Sequence, residues 1–488
     1  MARPQLASRL ALGISAIVAI GGLPRAAHAG GFDTPILYSA RHMGMGGTAI
    51  GYVNDPSALF HNPAGLGGIR GLEIMANISP LTGSITSSPG SGPDSTPNPD
   101  MTYRSRTTEP AISPLFLVGA AYRISDPVTF GVGVYPVAAA AGEYRMTDIR
   151  GNPYIDKTRL VFLEVSPGVS VELMKGLYLG AGYRATIVTL ERVKGNVDNP
   201  LEFNFEVKGV DATGVRVGLQ YHPTDSFSVG LVYRHRIEPT LKADKVRAGN
   251  NLVDGQTSLV LPSKLGVGAS GKLDRLHGAL DLEYGFYSQS SQTLLSGYNP
   301  VLNRTEQVVN YFEWQNGITT RVGLEYLLCA ESQFATRVGY VFDGKVGNKA
   351  YPTAFGTPPA PSHSFTAGLG YRGEKWQTNL AFAYRFASTE ITPADVAGAT
   401  PCASCSKAGT DYTLKIMGFY LDVSYRFDVA PIFAGAPPAA AGTPPAPETS
   451  PAAVPPSGPP PTPPSPDPAP SPGTPVPPSP PVPAPSPP

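Results

Sequence analysis

Leu177, Leu179, Ala181, Tyr183, Ala185 and Ile187 alternate with Tyr178, Gly180, Gly182, Arg184, Thr186 and Val188, a period of two residues. Strands have this period because successive side chains point to opposite faces. The same split recurs where Ile318, Thr320, Val322, Leu324 and Tyr326 alternate with Thr319, Arg321, Gly323 and Glu325. It recurs again where Met417, Phe419, Leu421, Val423, Tyr425 and Phe427 alternate with Gly418, Tyr420, Asp422, Ser424 and Arg426. One face of each segment is apolar and the other polar or tiny. A soluble sandwich would bury its apolar faces and show Lys and Glu outside. Polar faces of Gly, Ser and Thr with isolated charges of both signs suit instead a wet lumen whose walls pair their own charges, with the apolar faces against lipid.

Fourteen such segments are expected, near 72–85, 111–123, 128–146, 159–173, 177–193, 209–222, 226–242, 257–273, 276–290, 308–328, 333–343, 363–372, 376–389 and 412–427. The connections at Ser125-Asp126, Met174-Lys175-Gly176, Pro223-Thr224-Asp225, Asp274-Arg275, Ala330-Glu331-Ser332 and Gly373-Glu374-Lys375 are tight. Those between them are longer and polar or Gly/Pro-rich. Strict alternation of short and long connections is the plan of an up-and-down outer-membrane barrel, with short periplasmic turns and longer extracellular loops. No window after the N-terminus holds 18 consecutive apolar residues, which excludes a helical membrane protein. The expected fold is therefore all-β: a 14-stranded antiparallel transmembrane β-barrel over 72–427. A barrel this wide leaves an open lumen unless something fills it. Residues 30–71, Gly-rich and strand-poor, are expected to fold inward as an N-terminal hatch.

Both ends of the chain are compositionally distinct. Arg3 and Arg9 precede an apolar stretch, Leu10 to Leu23, and Ala27-His28-Ala29 offers small residues for a signal peptidase, so residues 1–29 read as a signal peptide. The apolar stretch is shorter than the ~20 residues a spanning helix needs. At the other end, Pro431 to Pro488 hold 27 prolines, two acidic residues (Glu448 and Asp467) and no Lys or Arg. Residues 428–488 are thus expected to form a disordered, proline-rich tail of polyproline II character that buries no core. Lys+Arg and Asp+Glu are both 37, a formal net charge of zero, which gives a nucleic-acid partner no global electrostatic support.

The segment after Gly30 reads Gly31-Phe32, then Gly44-Met45-Gly46-Gly47-Thr48-Ala49, then Asn54-Asp55-Pro56-Ser57-Ala58-Leu59-Phe60-His61-Asn62-Pro63-Ala64-Gly65-Leu66. In front of a fourteen-strand ladder this resembles the hatch of the FadL/TodX family of outer-membrane transporters for hydrophobic compounds, in which an Asn-Pro-Ala motif follows an acidic turn. The likeness extends to Phe427 and includes Leu259-Val260-Leu261-Pro262, expected to open a central strand, and the final Tyr425-Arg426-Phe427. It implies passive movement of long-chain fatty acids or aromatic hydrocarbons across the bacterial cell outer membrane. Partners are then the hydrophobic small molecule and outer-membrane lipid, with the barrel a monomer.

The resemblance also assigns roles. Phe32 matches a family residue in the lumen near the ligand. Arg192 shares parity with Arg184, so it faces the lumen, and it matches a family arginine that helps grip a fatty-acid carboxylate. The family's lysine partner falls at Gly317, a departure that leaves room for an uncharged ligand; a wall charge paired with Glu164 or Glu172 is the plainer reading of Arg192. Pro136, inside the third strand and followed by Val137 and Ala138 to Ala141, cannot donate to the ladder and kinks or bulges the strand. In the family a kink in this strand opens a lateral gap; a harmless rim bulge is the alternative. Asn62, Pro63 and Ala64 pin the hatch, since Pro63 biases Asn62 to extended backbone and its amide can bond nearby main chain. The connections at 194–208 and 243–256 are expected to be short loops, with Leu201, Phe203 and Phe205 supplying a small apolar patch.

Other signals fail. Cys402 and Cys405 share the last long loop, where a local disulfide is the economical reading, and Cys329 has no sequence partner. No metal set is complete. Two dinucleotide-like glycine patterns, Gly266 to Gly271 and Gly368 to Gly373, sit within strands rather than opening helices. No catalytic residues and no cofactor are implied, so an outer-membrane hydrolase is the weakest reading. The alternative to transport is a structural barrel anchoring the proline-rich tail as a tether to a periplasmic or cell-wall partner.

Overall fold

Alternating sequence becomes a closed antiparallel ladder in the structure, a computed structural model that describes residues 36, 38–88, 106–107, 111–147, 151–198, 200, 202–328, 333–351, 359–400 and 409–433. The expected signal peptide and most of the proline-rich tail lie outside these residues, as do Phe32, Leu201, Cys329, Cys402 and Cys405. The strands are β1 (Leu72–Ser88), β2 (Arg106–Thr107), β3 (Ala111–Ser125), β4 (Val128–Thr147), β5 (Pro153–Met174), β6 (Leu177–Asn196), β7 (Phe203–Thr224), β8 (Phe227–Arg234), β9 (Thr240–Ala248), β10 (Asn250–Ser258), β11 (Lys264–Leu273), β12 (Leu276–Gly285), β13 (Gln292–Asn299), β14 (Arg304–Tyr311), β15 (Gly317–Leu327), β16 (Phe334–Asp343), β17 (Ser362–Arg372), β18 (Trp376–Glu390) and β19 (Asp411–Phe427). β2 adds two residues beside β1. The remainder form fourteen staves, because β8/β9, β10/β11, β12/β13 and β14/β15 are each one stave broken in two. Closure comes from β1 pairing with β19, Leu72 opposite Phe427 through Ser88 opposite Asp411.

The apolar faces point outward as expected: Ile318, Leu324, Phe419, Val423 and Phe427 are all exposed to the surround. Aromatic side chains gather at two levels, as outer-membrane barrels require at their two interfaces. Phe334, Tyr371 and Trp376 pack near the short turns. His363, Phe365 and Phe386 pack higher. Tyr371 and His363 lie eight residues apart on β17, about 26 Å of strand at ~3.3 Å per residue before tilt shortens it.

Several expectations about the long-loop end are corrected. The windows 226–242, 257–273, 276–290 and 308–328 are not continuous strands; each breaks at Arg234–Thr240, Ser258–Lys264, Gly285–Gln292 or Tyr311–Gly317. Leu259 to Pro262 therefore lies in a break and not at the start of a strand. Residues 243–256, expected to be a loop, belong to the β9–β10 hairpin, which turns through Gly249 alone, a glycine at positive φ. Most of 194–208 is strand as well. Pairing across the long-loop end, rather than local turn chemistry, extends these ladders.

The polar faces do not line an empty lumen. Residues 38–68, with helices α1 (Ala40–Gly44) and α2 (Ala58–His61) and a 3-10 turn Pro63–Gly68, pack against inward-facing residues of the wall. Wall carboxylates and hydroxyls accept or donate where this segment has no internal partner. Asp281 accepts from the Ala49 and Ile50 amides at 2.7 and 3.1 Å, and Asp422 from the Arg41 amide at 3.1 Å. The Gly46 amide donates to Thr366 Oγ1 at 3.0 Å. Asn62 is extended, φ −157° and ψ 107°, as the following proline demands. Its buried amide donates to the carbonyls of Ile50 (2.8 Å) and Leu219 (3.1 Å), and its oxygen accepts from the Ala64 amide at 3.2 Å. Ser170 Oγ donates to the Ala64 carbonyl at 2.9 Å. This docking needs bare backbone on the wall. A Cβ at Gly218 would stand 1.8 Å from Asn62 Oδ1, and one at Gly180 2.1 Å from the Ala64 nitrogen.

Asn62→Ala removes three buried hydrogen bonds at this turn and takes the side-chain acceptor from the Ala64 amide; a buried polar group that loses its partner costs about 1–3 kcal/mol. We expect a lower midpoint of urea unfolding in lipid vesicles and faster protease cutting between 38 and 71. Gly218→Val should give the same phenotype by steric exclusion. Wild-type behaviour of both variants would refute this account of the docking.

Candidate functional site

Reading inward-facing positions from the long-loop end, β5 runs Asp156, Thr158, Leu160, Phe162, Glu164, Ser166. β6 runs Lys194, Arg192, Leu190, Val188, Thr186, Arg184. β7 runs Phe203, Phe205, Val207, then Asp211 and Arg216. At one height all three are apolar, between a charged rim above and a charged floor below. Leu160, Phe162, Val188 and Val207 are fully buried in one packed cluster.

The four broken staves complete this belt. Each break turns a short segment inward and delivers buried apolar side chains: Ile237, Leu259 and Leu261, Tyr287, and Phe312 with Trp314. Phe312 and Trp314 stack at 5.1 Å, and Tyr287 meets Trp314 edge-on at 6.2 Å. Broken ladders leave peptide groups to satisfy. Ile237 and Leu261 exchange both amide-to-carbonyl bonds, at 3.1 and 3.0 Å, and the Ser263 amide donates to Gln289 Oε1 at 2.9 Å.

The floor is a buried ion network. Glu164 accepts from Arg184 Nε at 2.6 Å and lies 3.3 Å from Arg216. Tyr135 donates to the same carboxylate at 2.8 Å and lies 2.9 Å from the Leu59 carbonyl, which Arg216 Nη1 also contacts closely. Glu283 is shared by Lys264 at 2.7 Å and Arg321 at 3.8 Å. A cavity of about 70 Å³ lies between these cations and Tyr38, Phe60, His61 and Val137. Within the lumenal segment, Ser57 and its amide donate to Asp55, whose other oxygen lies 3.4 Å from His42 Nε2 and 3.6 Å from Arg41. Burial pushes the Asp55 carboxyl up, but His42, Arg41 and Ser57 outweigh it and hold the group below the usual carboxylate range.

β3 and β4 part company beside this floor. Their ladder runs from Ser125 opposite Val128 only to Val118 opposite Val134. Beyond that point β3 stays paired to β1, and β4 to β5, so neither strand ends. Pro136 begins the divergence, with a bulge between Pro136 and Ala138 against Leu163 and Phe162. From Tyr135 to Ala138 every side chain is buried, and Leu115, Leu117, Val137 and Ala138 belong to the same apolar cluster as the belt. Tyr38 Oη donates to the Pro136 carbonyl at 2.9 Å. Tyr38, Phe60 and Tyr135 meet edge-on or tilted, with centroids 5.2–6.2 Å apart.

The structure thus brings Pro136 and the Asn62-Pro63-Ala64 turn onto the inner wall, but keeps Arg192 apart from them. Arg192 sits on the rim, where it pairs with Asp156, donates to the Lys157 carbonyl at 3.0 Å and lies over the Phe203 ring at 5.6 Å. The partner expected for it, Glu164, is taken by Arg184 and Arg216, eight residues deeper along the strand; Glu172 is farther still, contacting the Gly176 amide at 3.1 Å. Phe203 and Phe205 point into the belt and not into an outer patch. The residues that sequence reasoning passed over are Tyr38, Tyr135 and Arg216. Parity places the last two on the lumenal face beside Glu164, but their meeting with Leu59 depends on a segment with no period of its own.

The chain's residues 23–427 match the family model described as outer membrane protein transport protein (OMPP1/FadL/TodX). An outer membrane protein of Neisseria meningitidis serogroup B is 24% identical over 420 residues, 74% of this chain and 89% of that protein. Among solved structures, a Pseudomonas aeruginosa FadL homologue superposes with a TM-score of 0.64 at 17% identity, over 82% of this chain and all of that one. The Pseudomonas putida toluene transporter TodX gives 0.59 at 16% identity, over 81% and 99%. The Ralstonia pickettii toluene transporter TbuX gives 0.56 at 17% identity, again over 81% and 99%. The closed fourteen-stave barrel is the fold these structures share, and the chain belongs to the OMPP1/FadL/TodX family of outer-membrane proteins that transport hydrophobic compounds.

Proposed function

We propose that this protein passes long-chain fatty acids or aromatic hydrocarbons passively from the outer rim into the apolar belt and releases them sideways, between β3 and β4, into the bilayer. The observation that carries the reading is the continuity of one apolar cluster from the belt to the unpaired edges of these two strands. Energetics favour the sideways path. A hydrophobe in the belt is already out of water. To continue down the lumen it must pass the Glu164, Arg184 and Arg216 network and then re-expose its surface, at about 25 cal/mol per Å². Into lipid it pays no such cost. The lumenal segment acts as the hatch that closes the downward route, pinned by Asn62, Pro63 and Ala64 and latched through Leu59 and Tyr38 to the wall. Belt side chains are in contact, so cargo moves by displacing Phe162, Val188 and their neighbours rather than through a standing pore.

Arg192 guards the mouth of the belt beside Phe203. Because Asp156 already holds its guanidinium, a carboxylate must compete for it, which favours uncharged aromatic cargo over fatty acid. The TodX and TbuX structures are named as those of toluene transporters, which agrees with that preference.

The test is uptake by a host lacking its own hydrophobe transporter, expressing this protein and offered a monoaromatic hydrocarbon, a long-chain fatty acid and a small hydrophilic solute. Uptake of the hydrocarbon is expected, and none of the hydrophilic solute. Pro136→Ala restores a donor and lets β3 and β4 approach, while Ala138→Trp fills the gap. Each should cut hydrophobe uptake by about tenfold, as a barrier rise of about 1.4 kcal/mol would. An assembled barrel that moves no hydrophobe, or variants that transport like wild type, would refute lateral release.

Arg192→Ala is expected to leave hydrocarbon uptake within about twofold, an effect below 0.5 kcal/mol on the barrier. A selective loss of fatty-acid uptake in that variant would instead assign the arginine to carboxylate recognition.

A further inference from the structure

Two contacts hold α2 to the wall, the Leu59 carbonyl against Arg216 and the Asn62 amide against the Leu219 carbonyl. His61, the last residue of the helix, stands between them. Its ring is half-buried beside the small cavity at the floor, 5.1 Å from the His42 ring and edge-on to Phe60 at 5.0 Å. Its Nε2 is buried and has no hydrogen-bond partner. A neutral imidazole can keep such a nitrogen as a lone pair, whereas the imidazolium must donate from both nitrogens. Protonation in place would therefore bury an N–H without an acceptor, together with a charge.

The charges around the ring do not offer that proton a home. Arg41 and His42 come from α1, and the turn after it brings Asp55, which His42, Arg41 and Ser57 already hold. Tyr52 packs on the His42 ring. From the wall, Arg216, Arg234, Lys264 and Arg321 line the cavity that His61 borders, with Asp281 and Glu283 between them and Tyr38 closing one side. Glu283 is shared by Lys264 and Arg321, and Asp281 accepts from the Ala49 and Ile50 amides. Burial, His42 and Arg321 hold the His61 imidazole well below its usual range, against the pull of Asp55 and the Tyr38 carbonyl.

We propose that His61 is an acid-sensitive release for the lumenal segment, whose protonation frees α2 and the Asn62 turn from the wall. An opened segment exposes the ring, which then takes up a proton with the ordinary imidazole pKa of about 6.5. The docked form is fully favoured above that pH and loses ground below it, the open population growing up to about tenfold per pH unit for one proton bound. Asp55, held below the usual carboxylate range, stays ionised through this window. The inference rests on the docking of the lumenal segment as a hatch and not on the route of the cargo, so its failure would leave lateral release standing.

The test uses the full chain in nanodiscs. Protease cutting between 38 and 71 is followed as the pH falls, each rate divided by that of an unfolded reference substrate at the same pH. Wild-type cutting is expected to rise about tenfold between about pH 7.5 and 5.5, and to change by less than about twofold in His61→Gln and His61→Phe. A flat wild-type profile, or a rise that survives both substitutions in folded barrels, would overturn the proposal. Should neither variant assemble, histidine-selective isotope labelling of the wild type decides. One imidazole that stays neutral in acid while the segment is docked is the expected result; every imidazole charged with the segment still protected would refute it.

Discussion

Every peptide group in hydrocarbon needs a hydrogen-bond partner, and an unsatisfied one costs several kcal/mol. That constraint closes the barrel through the β1–β19 seam, and it makes a place where neighbouring staves separate informative. Between β3 and β4 the wall forgoes its ladder above Val118 and Val134. The gap persists because its polar groups are met from inside: Pro136 has no amide to satisfy, and its carbonyl takes the Tyr38 hydroxyl. Tyr135, the preceding residue, turns to Glu164 and Leu59. The lumenal segment is therefore part of the wall's solution at the gap as well as a filling.

This arrangement couples two features that are separate in sequence. Glu164 joins β5 to Arg184 on β6 and Arg216 on β7, and the same Arg216 contacts Leu59. Removing one partner from a buried pair strands the other charge, at about 3–5 kcal/mol. The network thus fixes the distance between the wall and α2, and with it the position of Phe60 against Tyr38 and Tyr135 at the gap. A wall built only from apolar contacts would leave that register loose.

How much of this was legible in the sequence follows from what each feature depends on. Strand parity is local and period-two, so the outward apolar faces and the inward Arg184, Arg321 and Asp422 were readable. Short turns were readable because Gly, Asp and Pro mark them. The inward breaks were not: Leu259-Val260-Leu261-Pro262 and Phe312 to Asn316 carry strand-like residues, and what turns them inward is the apolar belt they join. Arg192 was placed on the right face, but its partner was not, because cross-strand register between β5 and β6 sets Asp156 beside it. The Gly and Ser of the polar faces were visible as small residues. Their purpose is to let another stretch of backbone lie against the wall, as at Gly180 and Gly218, and only a folded lumenal segment reveals it.

On the proposed route, the order of environments down the lumen does the selecting. A charged rim tolerates an amphiphile, an apolar belt takes only its hydrocarbon part, and a charged floor rejects that part again. An uncharged ring or chain in the belt lies between charged side chains above and below, and apolar contact continues from it to Leu115, Leu117, Val137 and Ala138. Selectivity in such a protein resides less in a fitted pocket than in this sequence of dielectric steps. Along that proposed route, cargo size can vary more freely than cargo polarity, which is the behaviour expected of a conduit built by ordering wall residues rather than by enclosing one ligand.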